Sequence, residues 1–289
     1  MKKNKLAFSL VELAVVVLII GLITTGIIKG TSIIKSARLS SARALTTKSN
    51  IATISGMVAW YETSLNNSLK PSETSDNSQI TEWRDISPGS IAAQKNKLTR
   101  AASSSVTYKA DGVNNLPSIK FISSGNLTLS AFYQGNLGQA TIFVVARPTT
   151  AISSAVTLLD SYSSASTSAF GIATSYIWIN LGAGQTNTST MSNTPSIIAN
   201  SNCILATYYD DVNSKAFVNN ATGMAGGALI YPSTNPLSGL TIGTNKSGSV
   251  PFTGLISEII IFDRPLPIDE RKSVMSYLSK KYKISVTGI

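Results

Sequence analysis

An apolar stretch from Phe8 to Ile28, set behind a basic start at Met1 to Leu6, constrains this chain more than any other feature. At about 1.5 Å per residue the stretch makes a helix of roughly 31 Å, close to the thickness of a bilayer's hydrocarbon core, so the sequence predicts a membrane-spanning helix over about 8–28. A secretory signal peptide has a shorter apolar core, about 7–15 residues, followed closely by an Ala-x-Ala site. The nearest such triplet, Ala42-Arg43-Ala44, lies too far downstream. Glu12 is the anomaly within the run, because a carboxylate at membrane depth costs about 2.5–3.5 kcal/mol on insertion scales and needs compensation.

The segment Ala7-Phe8-Ser9-Leu10-Val11-Glu12, with its basic leader and apolar sequel, resembles the processing site of type IV pilins and type II secretion pseudopilins. The resemblance implies that a prepilin peptidase cuts between Ala7 and Phe8 and methylates the new amine. It implies that Glu12 then offsets the freed terminus of a neighbouring subunit inside a low-dielectric bundle, which sets the stagger between subunits. It also implies a single-pass protein of a bacterial inner membrane, with its C-terminal part in the periplasm, that assembles with other pilin-like subunits into a pilus or pseudopilus. The family usually has Gly before the cut where this chain has Ala7, which bears on cleavage efficiency more than on topology. The alternative is a plain signal anchor in which Glu12 pairs with Lys2, Lys3 or Lys5.

With 289 residues, 43% of them hydrophobic, the chain can hold this helix and one sizeable domain. The formal net charge is +10, and Lys29, Lys35, Arg38, Arg43 and Lys48 follow one another with no acid between Glu12 and Glu62. Such a face is ordinarily solvated, and basic residues alone carry no recognition code, so nucleic acid is not an expected partner. Cys203 is the only cysteine and histidine is absent. An intramolecular disulfide is therefore excluded, along with Ser-His-Asp and Cys-His nucleophile arrangements and most zinc sites.

The helical pattern continues past the apolar run to about Ser55, which defines a leader, 1–7, and an N-terminal helix, 8–55. Gly26 and Gly30 form a small-xxx-small pair suited to close helix approach, and equally weaken the helix locally. From Gly56 onward, short apolar or alternating runs are separated by Ser, Asn, Gly, Thr and Pro, the pattern of an all-β sandwich. Near the C-terminus Pro267 to Tyr282 predicts an amphipathic helix with acids at its start, lysines at its end, and Val274, Leu278 and Tyr282 on one face. The expected fold class is thus mainly β: a transmembrane α-helix, then a β-sandwich over 56–284 with a C-terminal helix, and a tail at 285–289.

The order of landmarks in that domain resembles bacterial laminin-G-like, concanavalin A-like jelly rolls. They are Gly56-Met57-Val58-Ala59-Trp60-Tyr61, Trp83-Arg84-Asp85, Asn115 to Phe121, Thr141 to Ala146, Phe217-Val218-Asn219-Asn220, and the closing Gly254 to Leu266 with Glu270-Arg271 and Tyr277 to Tyr282. The resemblance implies ligand binding on a sheet face or at loop tips, often with sugars and calcium. Trp178, Tyr208 and Tyr209 are candidates for sugar stacking by their position in predicted strands, although aromatics there more often fill a core. Calcium needs several convergent oxygens. Asp160, and Asp210-Asp211 with Asn213, are the candidate donors, while acids at strand ends also serve as turn residues. No cofactor other than this calcium is implied. Glu258 and Asp263 do not reproduce the Glu-x-Asp-x-Glu strand of related glucanases, and Glu258 reads as structural.

The function expected from the sequence is a non-enzymatic, prepilin-like subunit displaying a lectin-like domain for a glycan or surface protein. The competing readings are a signal-anchored periplasmic carbohydrate-binding module and a membrane-tethered glycan hydrolase.

Overall fold

The structure, a computed structural model, describes residues 10–88, 96–102, 104–123, 125–152, 155–162, 169–172, 176–180, 189–192, 197–210, 214–222 and 237–289. Helix α1 (Leu10–Thr47) is 38 residues long. It stops short of the expected Ser55, because Ser49 accepts a hydrogen bond from Ile51 N and opens a separate 3-10 turn, Asn50–Thr53. Gly56 then takes φ 81°, and a side chain there would collide with Asp263.

The expected membrane span is corrected. Among the described residues no helix is long and apolar enough to cross a membrane. The apolar side chains in the first turns of α1 include Leu10, Val11, Leu13, Leu18 and Leu22. These side chains are exposed, Leu10 at 85%, Val11 at 70% and Leu22 at 67%. Among the described side chains of α1, full burial comes in its last turns, at Ala42 and Thr46.

The strands in chain order are β1 (Met57–Glu62), β2 (Glu82–Trp83), β3 (Leu98–Arg100), β4 (Val106–Lys109), β5 (Ser118–Phe121), β6 (Leu127–Leu129), β7 (Ala140–Pro148), β8 (Val156–Asp160), β9 (Ala169–Ile172), β10 (Tyr176–Asn180), β11 (Ser189–Ser192), β12 (Cys203–Tyr209), β13 (Lys215–Val218), β14 (Leu240–Ile242) and β15 (Gly254–Phe262); helix α2 (Ile268–Tyr282) follows. They form two antiparallel sheets. The first runs β13-β12-β7-β15-β5-β4, with β1 also paired to β15, and the second runs β11-β10-β9-β8-β14-β6-β3-β2.

The main core lies between the sheets. Ile119, Ile142, Val144, Leu205, Ile256, Ile259 and Ile261 of the first face Leu127, Leu158, Phe170, Leu240 and Ile242 of the second. A second core lies on the other face of the first sheet, where Trp60, Phe143, Ile204, Phe217, Ile260 and Phe262 meet Val274, Met275, Leu278 and Tyr282 of α2. A sheet buried on both faces needs apolar residues at both phases of its strands. Hence Cys203–Tyr209 and Gly254–Phe262 are buried along their whole lengths. A register shift in β15 between Ile256 and Glu258 changes the phase and aims Glu258 at α2.

That carboxylate anchors a buried polar knot. Lys281 Nζ lies 2.8 Å from Glu258 Oε2 and 3.0 Å from Glu62 Oε2, with all three side chains fully buried. Trp60 Nε1 (2.7 Å) and Tyr277 Oη (2.8 Å) donate to Glu258 Oε1, and Tyr282 Oη (2.9 Å) donates to its Oε2. Glu62 also accepts from Ser64 N, Leu65 N and Ser68 Oγ. Burial pushes the Glu62 carboxyl up, but Lys281 and these donors hold it below the usual carboxylate value. Burial alone lowers the Lys281 ammonium, yet the two carboxylates keep it well above its usual value. Tyr277 Oη pairs with Thr46 Oγ1 at 3.1 Å, and Arg43 Nε donates to Ser64 O at 2.7 Å, so the end of α1 is fastened to the same knot.

The segment read as a tail is tied in as well, because Thr287 N donates to Asn219 O and Ala221 N donates to Thr287 O. Asn219, at φ 49°, takes the left-handed turn conformation that Asn tolerates better than most side chains.

Candidate functional site

Among the described residues no helix lies on the outer face of the second sheet, and its central strands alternate. In β6 Leu127 and Leu129 enter the core around Thr128, and in β14 Leu240 and Ile242 enter it around Thr241. Strand register aligns Thr99 of β3, Thr128, Thr241 and Asp160 of β8 in one row across four strands. Over this row lies a groove of about 670 Å³, lined by Asn126, Thr128, Tyr162, Ser238, Thr241 and Lys246 among others.

Asp160 sets the groove's walls. Its carboxylate is buried and accepts from Ser161 N at 2.7 Å and from Lys246 N at 2.8 Å, so one side chain holds the two segments that bring Tyr162 and Lys246 to the rim. Burial pushes its pKa up to about 6 against the opposing pull of those donors and of the Lys246 charge. Ser161 Oγ and Ser238 exchange hydrogen bonds of 3.0 Å, and Tyr162 N donates to Ser238 O at 2.9 Å. On the other side Asn245 Oδ1 accepts from Ser249 N and Val250 N, closing the turn after Lys246. The Tyr162 ring is 42% exposed. Hydroxyls, an amide, an ammonium and a half-exposed aromatic on strands and the turns beside them are groups suited to holding a polyhydroxylated molecule by hydrogen bonds and ring stacking.

The residues singled out from sequence are dispersed. Tyr208 is buried at 8% exposure, with Phe217 at 5.9 Å between ring centroids and the Arg271 guanidinium 5.0 Å above its ring. Tyr209 is buried in the main core, and desolvation raises its phenol. Tyr208 fills packing because α2 covers the side of β12 that a two-layer sandwich would leave open, and Tyr209 faces the second sheet. Trp178 stands in β10 opposite Gly171 and Thr190, and its side chain lies outside the described residues. Asp160 lies at the groove, whereas Asp210 accepts from Gln139 Nε2 at the end of β12. Asp211 and Asn213 are outside the described residues, as are Ala7 and Phe8. Among the described residues no group of three or more His, Cys, Asp or Glu could hold a metal ion. Glu12 lies exposed in the first turn of α1. Glu258 is sealed in the knot with Lys281, out of reach of any substrate in the groove. The Cys203 thiol is buried, which pushes its pKa up to about 12.

Sequence reasoning missed Thr128, Thr241 and Tyr162. A signal existed in the matching triplets Leu127-Thr128-Leu129 and Leu240-Thr241-Ile242, each an inward-outward-inward strand with a polar outer residue.

No family model matches the chain, and no curated protein sequence does. Solved structures do resemble it. Domain 4 of AbnA, a GH43 extracellular arabinanase from Geobacillus stearothermophilus, in complex with arabinotriose, matches with TM-score 0.52 at 14% identity, over 76% of this chain and 97% of that domain. Trypanosoma rangeli sialidase in complex with 2,3-difluorosialic acid matches with TM-score 0.53 at 14% identity, over 78% of this chain. This chain spans only about a third of the sialidase, 33%. The binding domain of Paraclostridial Mosquitocidal Protein 1 matches with TM-score 0.55 at 12% identity, over 79% of this chain and 53% of that one. At these identities the likeness establishes a shared β-sandwich fold.

Proposed function

We propose that this chain is a glycan-binding subunit of a pilus-like filament, in which the β-sandwich is the binding head and α1 the assembly element. The observation that carries the reading is the polar groove on the open sheet, with Thr128, Thr241, Lys246 and the exposed Tyr162 ring around it. The arabinanase domain, whose fold this sandwich shares, is described in complex with arabinotriose, and that complex supports a sugar ligand for the groove. The head binds and does not turn over in this reading: the paired carboxylates Glu62 and Glu258 share the Lys281 ammonium inside the fold.

The filament part rests on the Ala7 to Glu12 segment and on the exposed apolar surface of α1. A helix with Leu10, Val11, Leu13, Leu18 and Leu22 all open to solvent gains free energy when equivalent helices cover it. A prepilin peptidase that frees and methylates Phe8, and a periplasmic location for the head, complete this reading.

A glycan array probed with the chain tests the head. Binding to a defined set of glycans that falls at least about tenfold in Tyr162→Ala is expected, and a blank array, or binding indifferent to Tyr162, overturns the groove as the site. Mass spectrometry of the protein from its native host tests the filament part, which requires a chain beginning at N-methylated Phe8 and is refuted by an intact Met1 start.

A further inference from the structure

A second cavity lies away from the groove, where the last turns of α1 approach the C-terminal end of α2. It has a volume of about 350 Å³ and is bordered by Arg38, Asn114, Lys280 and Lys283 over a floor that includes Leu45 and Leu116. Lys281 also reaches it, but its ammonium is committed to Glu62 and Glu258. Arg38, Lys280 and Lys283 are exposed, and none forms an ion pair with a carboxylate among the described residues. No acid lines the cavity. The nearby Asp111 already faces Lys109 at 2.7 Å and Lys35 at 3.8 Å.

Lysines at a helix C-terminus offset its negative end, which accounts for Lys280 and Lys283 individually. It does not account for Arg38, which arrives from a different helix. Lys283 (φ 52°) takes the left-handed conformation of the C-cap of α2, and Asn114 (φ 50°) takes the same region inside the 3-10 turn Val113–Asn115. Asn114 is held there by a 2.5 Å hydrogen bond from its Nδ2 to Tyr282 O, which joins the two walls of the cavity. Three like charges gathered without an acid repel one another until an anion enters.

We infer that this cavity is an anion site that takes a phosphate group, with the Arg38 guanidinium as the planar fork and the Lys280 and Lys283 ammoniums as flanking point charges. Two sources carry that chemistry, free phosphate and the headgroup of an anionic phospholipid. The apolar floor and the exposed Ile33 and Ile34, about one turn before Arg38, suit the second.

The test uses the full chain and two probes at constant ionic strength: inorganic phosphate, read by calorimetry, and vesicles of phosphatidylglycerol or phosphatidylcholine, read by flotation. Because the three cations are exposed, their alanine variants keep the fold, and Lys215→Ala, an exposed lysine on β13, is the control. Phosphate binding weakened about tenfold by each of Arg38→Ala, Lys280→Ala and Lys283→Ala, and unchanged by Lys215→Ala, supports the site with free phosphate as source. No response to phosphate, but flotation on phosphatidylglycerol that exceeds flotation on phosphatidylcholine and is lost in the same three variants, supports it with the headgroup as source. The inference is overturned if neither probe depends on the three residues, or if Lys215→Ala weakens binding as much as Arg38→Ala.

Discussion

The two sheets of this sandwich have opposite fates. The first is covered twice, by the second sheet on one face and by α2 with the end of α1 on the other, while among the described residues the second sheet is covered on one face alone. The contrast is written residue by residue: β15 is buried throughout, but β6 places the half-buried Thr128 between two core residues. A sheet that supports a helix spends both phases of its strands on packing, so only the other sheet has side chains left to meet a ligand. The doubly covered sheet should therefore govern stability and the open one recognition.

The sharpest way to break that division is at Lys281. Lys281→Ala leaves Glu62 and Glu258 buried without their cation and should cost about 3–5 kcal/mol in denaturant unfolding, while a loss under about 1 kcal/mol would mean the knot is not the anchor of α2. Next comes packing alone: Leu278→Ala in α2 should cost about 3 kcal/mol through lost burial and a residual cavity, measured the same way.

A smaller effect separates the sheets by pH. The Asp160 pKa of about 6 lies above its unfolded value near 3.9, so the folded state holds that proton more tightly. Its contribution is fully present below about pH 4 and is lost as pH rises towards 6, by about 2 kcal/mol. Glu62 in the first sheet has the opposite sign, since its depressed pKa gives stability above the unfolded value near 4.3 that disappears as pH falls through the folded one. Unfolding free energies measured from pH 3 to 7 should lose the pH 4–6 slope in Asp160→Asn and the more acid slope in Glu62→Gln. The smallest stability change belongs to the open face: Thr128→Val should shift stability by less than about 1 kcal/mol while weakening glycan binding.

The same contrast explains what was legible in the sequence. The long apolar run of β15 and the i, i+4 series Val274, Leu278 and Tyr282 of α2 are local patterns, and they lie where those patterns put them. Tyr208 was ambiguous because nothing near β12 in sequence announces that α2 will lie over it. The groove was hidden because Thr99, Thr128, Asp160 and Thr241 converge only through the register of four strands far apart in the chain. The membrane span was read from hydropathy over Phe8 to Ile28, and no described helix is long and apolar enough to cross a membrane.

The attachment of α1 to the knot through Thr46 and Tyr277 has a mechanical consequence. Tension drawn along the helix reaches the head beside β1, whose register pairs with β15, from Met57↔Phe262 to Glu62↔Glu258, lie crosswise to a pull along the strand. Such a load would be shared by the whole ladder in shear instead of peeling it rung by rung, so the joint between α1 and the sandwich resists a pull along β1.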